Sequence, residues 1–100
     1  SRYHIVGNQI GDFCGSTANV VLITEKFYYI ANTGDSRSIL CRNGYTIGLS
    51  RDHKPENPLE LKRIKKANGF VSMGRVNDIL SVSRAFGDFD MKQDRHLKWE

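Results

Sequence analysis

Long hydrophobic runs are missing from this chain of 100 residues. The longest apolar segments, at residues 20–23 and 27–31, are far shorter than the roughly 18 residues that a membrane-spanning helix needs. The first residues, Ser1 to His4, also lack the apolar core of a signal peptide. The sequence therefore predicts neither a membrane partner nor a secretory leader.

Cysteine is also scarce, because the chain contains only Cys14 and Cys41. Two cysteines are too few for a disulfide scaffold, and neither begins a Cys-x-x-Cys pair. The three histidines, His4, His53 and His96, are too widely spaced for a local zinc site. We expect reduced thiols, which are typical of a cytoplasmic or nuclear protein.

A strong excess of one charge is missing as well. Fifteen lysines and arginines stand against eleven aspartates and glutamates, for a formal net charge of +4. A nucleic-acid-binding module usually concentrates its basic residues in a stripe or patch, and this chain does not. We predict no nucleic-acid partner, and a small basic nucleic-acid module remains the weaker alternative.

Several catalytic signatures are absent too. A cysteine-dependent phosphatase needs an arginine shortly after its cysteine, and Val20 and Ile47 occupy the corresponding positions. The Gly-x-Ser-x-Gly turn of serine hydrolases and the phosphate-binding P-loop do not occur. Ser36, Asp52 and His53 do not predict a triad, since neighbours in sequence seldom provide its geometry. We interpret His53 as a residue that forms hydrogen bonds within a loop.

The sequence does contain a series of strand patterns separated by turn signals. Residues 19–24 and 27–31 are apolar on both faces, which predicts a hairpin buried on both sides. Residues 36–42 and 45–49 flank Asn43-Gly44, the dipeptide most typical of a two-residue hairpin turn. The first half of the chain therefore predicts two antiparallel hairpins.

One helix is predicted from Pro58 to Asn68, with Gly69 as its stop signal. Asn57 as N-cap and Glu60 at the third helical position suggest a capping box. The inward face would consist of the apolar residues Leu61, Ile64 and Ala67.

Two further strands are predicted at residues 70–73 and 79–83, joined by a turn at Asn77-Asp78. Strands that flank a single helix, with tight turns between them, favour antiparallel pairing over a parallel sheet. The predicted fold class is therefore α+β with antiparallel sheets.

Asp35 is the single candidate site residue, because it lies between two predicted strands in the segment from Asn32 to Arg37. A carboxylate at a strand end can bind a hard cation through oxygen, and Gly34 would permit close approach of the backbone. The alternative is that Gly-Asp-Ser is a turn in which Asp35 caps nearby amides. The residues alone favour the turn.

Five short motifs occur in an order that resembles the metal-dependent serine/threonine phosphatases of the protein phosphatase 2C family, in its eukaryotic branch. They are Gly15-Ser16-Thr17-Ala18, Asn32-Thr33-Gly34-Asp35-Ser36-Arg37, Asp52-His53-Lys54-Pro55, Arg75-Val76-Asn77 and Ser83-Arg84-Ala85-Phe86-Gly87-Asp88. The segments Asn57-Pro58-Leu59-Glu60 and Phe89-Asp90-Met91-Lys92 are similar to the family as well. The departures are small: Asn68-Gly69 replaces a common double glycine, and Asp78 replaces a turn glycine.

The resemblance implies an α-β-β-α sandwich and phosphorylated protein substrates. It also implies a Mg²⁺ or Mn²⁺ pair, at which a water molecule attacks phosphoserine or phosphothreonine. Residues 1–100 would form the middle section of a catalytic domain that is monomeric when complete. By position, Asp35 matches a ligand of an additional metal ion. The other matched polar residues would support the scaffold or a neighbouring loop, namely Thr17, Ser36, Arg37, Ser83, Arg84 and Asp88.

The family's principal metal ligands lie in an Asp-Gly-His-Gly-Gly motif and in later Asp-Gly-x-x-Asp and Asp-Asn motifs. None of these occurs here, and the chain contains no Asp-Gly dipeptide. The resemblance therefore implies an active parent phosphatase, whereas this chain would be inactive by itself, with no catalytic or cofactor-binding residue beyond metal ligand Asp35. A non-catalytic pseudophosphatase or scaffold with the same fold is the alternative.

Overall fold

A computed structural model of the chain describes residues 13–92. These residues form four two-stranded antiparallel sheets, one α-helix and a final 3-10 helix, so the α+β prediction is confirmed. The elements in chain order are β1 (Gly15–Ser16), β2 (Ala18–Ile23), β3 (Tyr28–Thr33), β4 (Ile39–Arg42), β5 (Tyr45–Gly48), α1 (Pro58–Lys66), β6 (Val71–Ser72), β7 (Arg75–Val76), β8 (Phe86–Gly87) and the 3-10 helix (Phe89–Lys92). In this part of the chain, no helix is long and apolar enough to cross a membrane.

Strands β2 and β3 form the longest hairpin, which confirms the first predicted pair. Their register runs from Ala18 opposite Thr33 to Ile23 opposite Tyr28. The residues from Val20 to Ile23 are 44% to 68% exposed, although adjacent side chains point to opposite faces. The predicted burial on both faces is therefore not met among residues 13–92, because this part of the chain supplies no covering layer.

Strands β4 and β5 form the second predicted hairpin around Asn43 and Gly44. These two residues have φ angles of 51° and 77°, the left-handed pair that a type I′ turn requires. Ladder partners run from Ile39 opposite Gly48 to Arg42 opposite Tyr45. This turn is therefore confirmed, and its glycine is explained by backbone conformation.

Helix α1 begins at Pro58 as predicted and ends at Lys66, two residues before the predicted end. Asn68 takes the left-handed conformation at φ 60°, and the Gly69 amide donates to the Ile64 carbonyl at 2.9 Å. Ile64 is buried together with Val82. These two are the buried apolar side chains of the small core among residues 13–92, and the Pro55 side chain is fully buried as well.

The capping-box prediction was wrong. The Asn57 side chain makes no cap and donates instead to the Asp52 carbonyl at 2.6 Å. The Glu60 carboxylate turns away from the helix terminus towards two arginines, Arg63 and Arg84. Charge-assisted bonds to guanidinium groups are stronger than a bond to a neutral amide, which explains why the glutamate leaves the helix end.

The predicted pairing of strands at residues 70–73 and 79–83 was also wrong. Strand β6 pairs with β7 across a turn at Met73 and Gly74, with φ angles of 48° and 74°. Asn77 and Asp78 do form a turn, at φ 50° and 61°, but it returns the chain only to an isolated bridge. Two consecutive left-handed turns leave no room for a strand as long as the one predicted.

Strands β1 and β8 pair far apart in sequence, with Gly15 opposite Gly87. The Asp88 amide donates to the Cys14 carbonyl at 2.8 Å, and a Cβ on Gly15 would overlap the Asp88 carboxylate. The backbone of Asp88 therefore extends the pairing of β1 with β8, and its carboxylate lies against Gly15. Histidines at positions 4 and 96 and the expectations for the first residues lie outside the described residues.

Candidate functional site

Asp35 follows the end of β3 and lies beside the segment at residues 52–55. Its Oδ2 atom accepts a bond from Lys54 Nζ at 2.5 Å, and this hydrogen bond raises the pKa of Lys54 above its usual value. The Asp35 and Lys54 side chains are 32% and 44% exposed. The carboxylate is therefore half-buried, placed at a strand end, and already holds a cationic group.

Gly34 fixes the backbone immediately before Asp35. Its amide donates to His53 Nδ1 at 3.0 Å, and the His53 amide donates to the Gly34 carbonyl at 2.9 Å. Gly34 has a φ of 100°, and a Cβ at this position would collide with the Thr17 side chain. Since Nδ1 accepts a bond, the proton of a neutral His53 lies on Nε2. The interpretation of His53 as a loop hydrogen-bonding residue is confirmed.

A lattice of polar side chains joins this loop to the first hairpin. Asn19 Nδ2 donates to Asn32 Oδ1 at 2.9 Å, and Asn32 Nδ2 donates to the Arg51 carbonyl at 3.0 Å. The Ser38 amide donates to Ser50 Oγ at 2.8 Å, and the Ser38 hydroxyl donates to Asn19 Oδ1. Strands β2 and β3 therefore position the loops on both sides of Asp35 through hydrogen bonds.

Two further contacts surround the same loop. The Thr17 and Ser36 hydroxyls share a hydrogen bond of 2.8 Å. Arg37 binds Asp52 through two bonds, from Nε to Oδ1 at 2.9 Å and from Nη2 to Oδ2 at 2.7 Å. These bonds lower the pKa of Asp52 and raise that of Arg37. Thr17, Ser36 and Arg37 therefore support a neighbouring loop, as the resemblance implied.

Glu60 is the centre of a second cluster that sequence reasoning missed. Its carboxylate accepts two bonds of 2.9 Å from Arg84, one of 2.8 Å from Ser83 Oγ and one of 2.9 Å from Arg63. Burial opposes ionisation of Glu60, but the hydrogen bonds from these residues outweigh it and lower its pKa to about 2. The hydrogen bond to Glu60 in turn raises the pKa of Arg84.

The Glu60 cluster is connected to the Asp35 loop through His53. The Ser83 amide donates to the His53 carbonyl at 2.9 Å, so His53 contacts both parts. An open cleft of about 510 Å³ lies at this junction, lined by residues 51–53, residues 57–60 and Arg84. Asp35 does not line this cleft, so the structure does not bring the candidate ligand and the cleft together.

No group of three or more His, Cys, Asp or Glu side chains among residues 13–92 is arranged to hold a metal. Asp35 nevertheless supplies the oxygen donor that Mg²⁺ or Mn²⁺ prefers, and the Lys54 ammonium shows that its carboxylate is open to a cation. Asp35 therefore supplies one suitable oxygen donor, and the other described residues do not complete a metal site around it.

Comparisons with known proteins agree with the motifs. Residues 8–98 match the sequence profile of the family described as Protein phosphatase 2C. The chain is 55% identical over 86 residues to Protein phosphatase 2C 1 of Paramecium tetraurelia. The matched residues cover 86% of this chain and 29% of that protein. It is 49% identical over 87 residues to Probable protein phosphatase 2C 58 of Oryza sativa subsp. japonica, covering 87% of this chain and 24% of that protein.

A solved structure shares the fold as well. The crystal structure of a phosphatase from a pathogenic strain of Toxoplasma gondii superposes with a TM-score of 0.64 at 30% identity, covering 86% of this chain and 38% of that one. The chain thus spans about 29% of the length of its Paramecium relative. Because the family profile matches nearly the whole sequence, the chain belongs to the protein phosphatase 2C family.

Proposed function

We propose that the protein to which this chain contributes hydrolyses phosphoserine and phosphothreonine on proteins with the help of Mg²⁺ or Mn²⁺. The observation that carries this proposal is the 55% identity to Protein phosphatase 2C 1 over 86 residues. In this proposal, residues 1–100 are the middle section of the catalytic domain.

A bound Mg²⁺ or Mn²⁺ would activate water as a nucleophile near neutral pH and offset the charge that develops on the phosphoryl group. Asp35 would donate a carboxylate oxygen to that centre. The residues around Asp35 would hold it in place. The hydrogen bond between Gly34 and His53 fixes the backbone before Asp35, and the bonds from Arg37 to Asp52 tie the following loop to residues 52–55. The chain supplies one ligand, so we propose that it is inactive alone.

The test compares this chain with a longer protein that carries it together with the missing aspartate motifs. Both are assayed with Mn²⁺ and a phosphothreonine peptide. We expect turnover of around 1 s⁻¹ or more from the longer protein and none from the 100-residue chain. Asp35→Asn in the longer protein should lower turnover when Mn²⁺ is limiting. The matched control is Asp78→Asn, since Asp78 lies in an exposed turn at φ 61°, which asparagine tolerates.

Three outcomes separate the hypotheses. Turnover by the longer protein supports the phosphatase, whereas phosphopeptide binding without turnover would support the scaffold. If Asp35→Asn behaves like the wild type across the whole Mn²⁺ titration, Asp35 is a turn residue and its assignment as a metal ligand is wrong. Turnover by the 100-residue chain itself would refute the proposal that the chain lacks an essential part of the site.

We further propose that the complete domain is a monomer located in the cytoplasm or nucleus, with phosphorylated proteins as substrates. Support for the location is that Cys41 is an exposed thiol, which a reducing compartment preserves. Light scattering of the purified domain measures the mass, and fluorescence microscopy of the tagged protein locates it. A dimer mass or a secretory pattern would contradict these two statements.

A further inference from the structure

The chain contains two Asn-Gly dipeptides, Asn43-Gly44 and Asn68-Gly69, which are alike in their local conformation. Both asparagines are exposed, and both have a left-handed backbone, with φ angles of 51° and 60°. An asparagine before glycine can lose its side-chain amide, because glycine has no side chain to hinder attack by its backbone nitrogen on the asparagine Cγ atom. The two dipeptides therefore offer the same chemistry in two different surroundings.

At the first dipeptide, the attacking nitrogen is free. The Gly44 amide donates no hydrogen bond within residues 13–92, and a Cβ on Gly44 would meet nothing within 4 Å. The turn lies at the end of the β4–β5 hairpin, where the ladder pair of Arg42 and Tyr45 closes it, and Tyr45 is 75% exposed. Exposed ends of this kind open at low cost, so the peptide after Asn43 can rotate towards its own side chain.

At the second dipeptide, the corresponding nitrogen is held. The Gly69 amide donates to the Ile64 carbonyl at 2.9 Å, and a Cβ on Gly69 would lie 2.9 Å from the side chain of buried Ile64. The Phe70 amide donates to Asn77 Oδ1 at 3.0 Å, and the Phe70 carbonyl accepts a bond from the Asn77 amide at 2.9 Å. Attack on Asn68 would therefore require a segment tied to the core to come loose first.

We propose that Asn43 is a site of spontaneous deamidation in the folded chain and that the fold protects Asn68. After a base from the solvent removes its proton, the Gly44 nitrogen bonds to Asn43 Cγ. The bond from Cγ to Nδ2 then breaks, ammonia leaves, and a cyclic succinimide remains. Water adds to either ring carbonyl and reopens the ring to aspartate or isoaspartate, with no change in oxidation state. The end of the hairpin thereby gains one negative charge.

The two products should affect the hairpin differently. Asp-Gly suits a type I′ turn as Asn-Gly does, whereas isoaspartate adds a carbon atom to the backbone of a turn that has only two residues. The isoaspartate product should therefore lose the pairing of Arg42 with Tyr45. NMR spectra of the separated products check this, and unchanged β4 and β5 signals in the isoaspartate product would contradict it.

The test incubates the 100-residue chain at mildly alkaline pH in water enriched in a heavy oxygen isotope, once folded and once in urea. Mass spectrometry of its peptides then measures the isotope gained at each asparagine. In the folded chain, we expect Asn43 to react on the order of 10-fold faster than Asn68, because the hydrogen bond from Gly69 to Ile64 must first break. In urea both glycine nitrogens are free, so the two rates should become similar.

The matched control is Asn43→Gly, which keeps a dipeptide suited to the type I′ turn and has no side-chain amide to lose. It should abolish labelling at position 43 and leave the rate at Asn68 unchanged. The inference is overturned if Asn68 reacts as fast as Asn43 in the folded chain, or if urea leaves the ratio of the two rates unchanged. It is also overturned if folded Asn43 gains no label in the time that the unfolded chain takes to react. Phosphatase activity enters none of these results.

Discussion

Replacing Glu60 with glutamine tests whether a buried carboxylate holds the second half of the chain together. Glu60 is only 6% exposed and accepts bonds from Arg63, Ser83 and Arg84. Glutamine has nearly the same shape but no charge, and its amide group would face two guanidinium donors. We therefore expect Glu60→Gln to destabilise the fold at neutral pH without changing its strands and helix.

The magnitude follows from the pKa of Glu60, which falls from 4.5 to about 2 on folding. Each unit is worth about 1.4 kcal/mol, so the ionised form contributes at most about 3 kcal/mol to the free energy of unfolding. The arginine side chains are 38% and 46% exposed, and water screens their interaction. We expect a loss of about 2 kcal/mol, or roughly 30-fold in the folding equilibrium.

The difference in stability between the wild type and Glu60→Gln should also depend on pH. Because the pKa of Glu60 is lower in the folded chain, its contribution is fully present above about pH 4.5 and is lost as the pH falls towards 2. Urea unfolding followed by circular dichroism should show a large difference between wild type and Glu60→Gln at pH 7. By about pH 3 that difference should have fallen by half or more.

The matched control is Glu25→Gln, since Glu25 lies exposed in the turn between β2 and β3. It should change the free energy of unfolding by less than about 0.5 kcal/mol at either pH. The reasoning fails if Glu60→Gln is no more destabilising than this control at pH 7. It also fails if the difference between wild type and Glu60→Gln stays constant as the pH is lowered.

Two further substitutions test the small core and the turn before Asp35. Ile64→Ala should cost about 2–5 kcal/mol in urea unfolding, because Ile64 is buried, and exposed Leu59→Ala should cost little. A cost below about 1 kcal/mol for Ile64 would contradict the core. Gly34→Ala should destabilise by about 1–3 kcal/mol and shift the His53 NMR signals, because its Cβ would meet the Thr17 side chain at a φ of 100°. Gly48→Ala, which has open space, is its control, and equal effects would refute the steric argument.

The elements that the sequence predicts well depend on local signals. Asn43 and Gly44 specify a turn by their own tolerance of positive φ, and Pro58 suits the first turn of a helix wherever the rest of the chain lies. Most of β3 could also be located from the apolar run at residues 27–31, although the strand continues to Thr33, just before Gly34. The placement of Asp35 at a strand end was therefore predictable.

The contacts that define the site were not predictable in the same way. Lys54 lies 19 positions from Asp35, and Arg84 lies 24 positions from Glu60. No local pattern specifies which of several arginines or lysines a carboxylate will meet. Glu60 is an example. Its position three residues after Asn57 suggests that its carboxylate caps the helix, but the carboxylate instead binds the guanidinium group of the distant Arg84.

The turn at Met73 and Gly74 shows a second limit. Asn77-Asp78 is the stronger turn signal by residue type, and methionine rarely takes a positive φ. The chain nevertheless turns at both places, and the Asn77 side chain accepts a bond from the Phe70 amide at 3.0 Å. That bond ties the second turn to Phe70, the residue before β6, so contacts between the two turns influence where the chain reverses as well as residue preference.

The loop that carries Asp35 is held by directional polar contacts more than by a hydrophobic core. The first hairpin leaves its apolar side chains exposed among residues 13–92, whereas Asn19 and Asn32 link it to the loops on both sides of Asp35. Hydrogen bonds fix direction as well as distance, so this lattice determines where the carboxylate points. Lys54 Nζ then binds this carboxylate from the segment at residues 52–55. The surroundings of the Asp35 carboxylate therefore depend on the segment at residues 52–55 as much as on the aspartate itself.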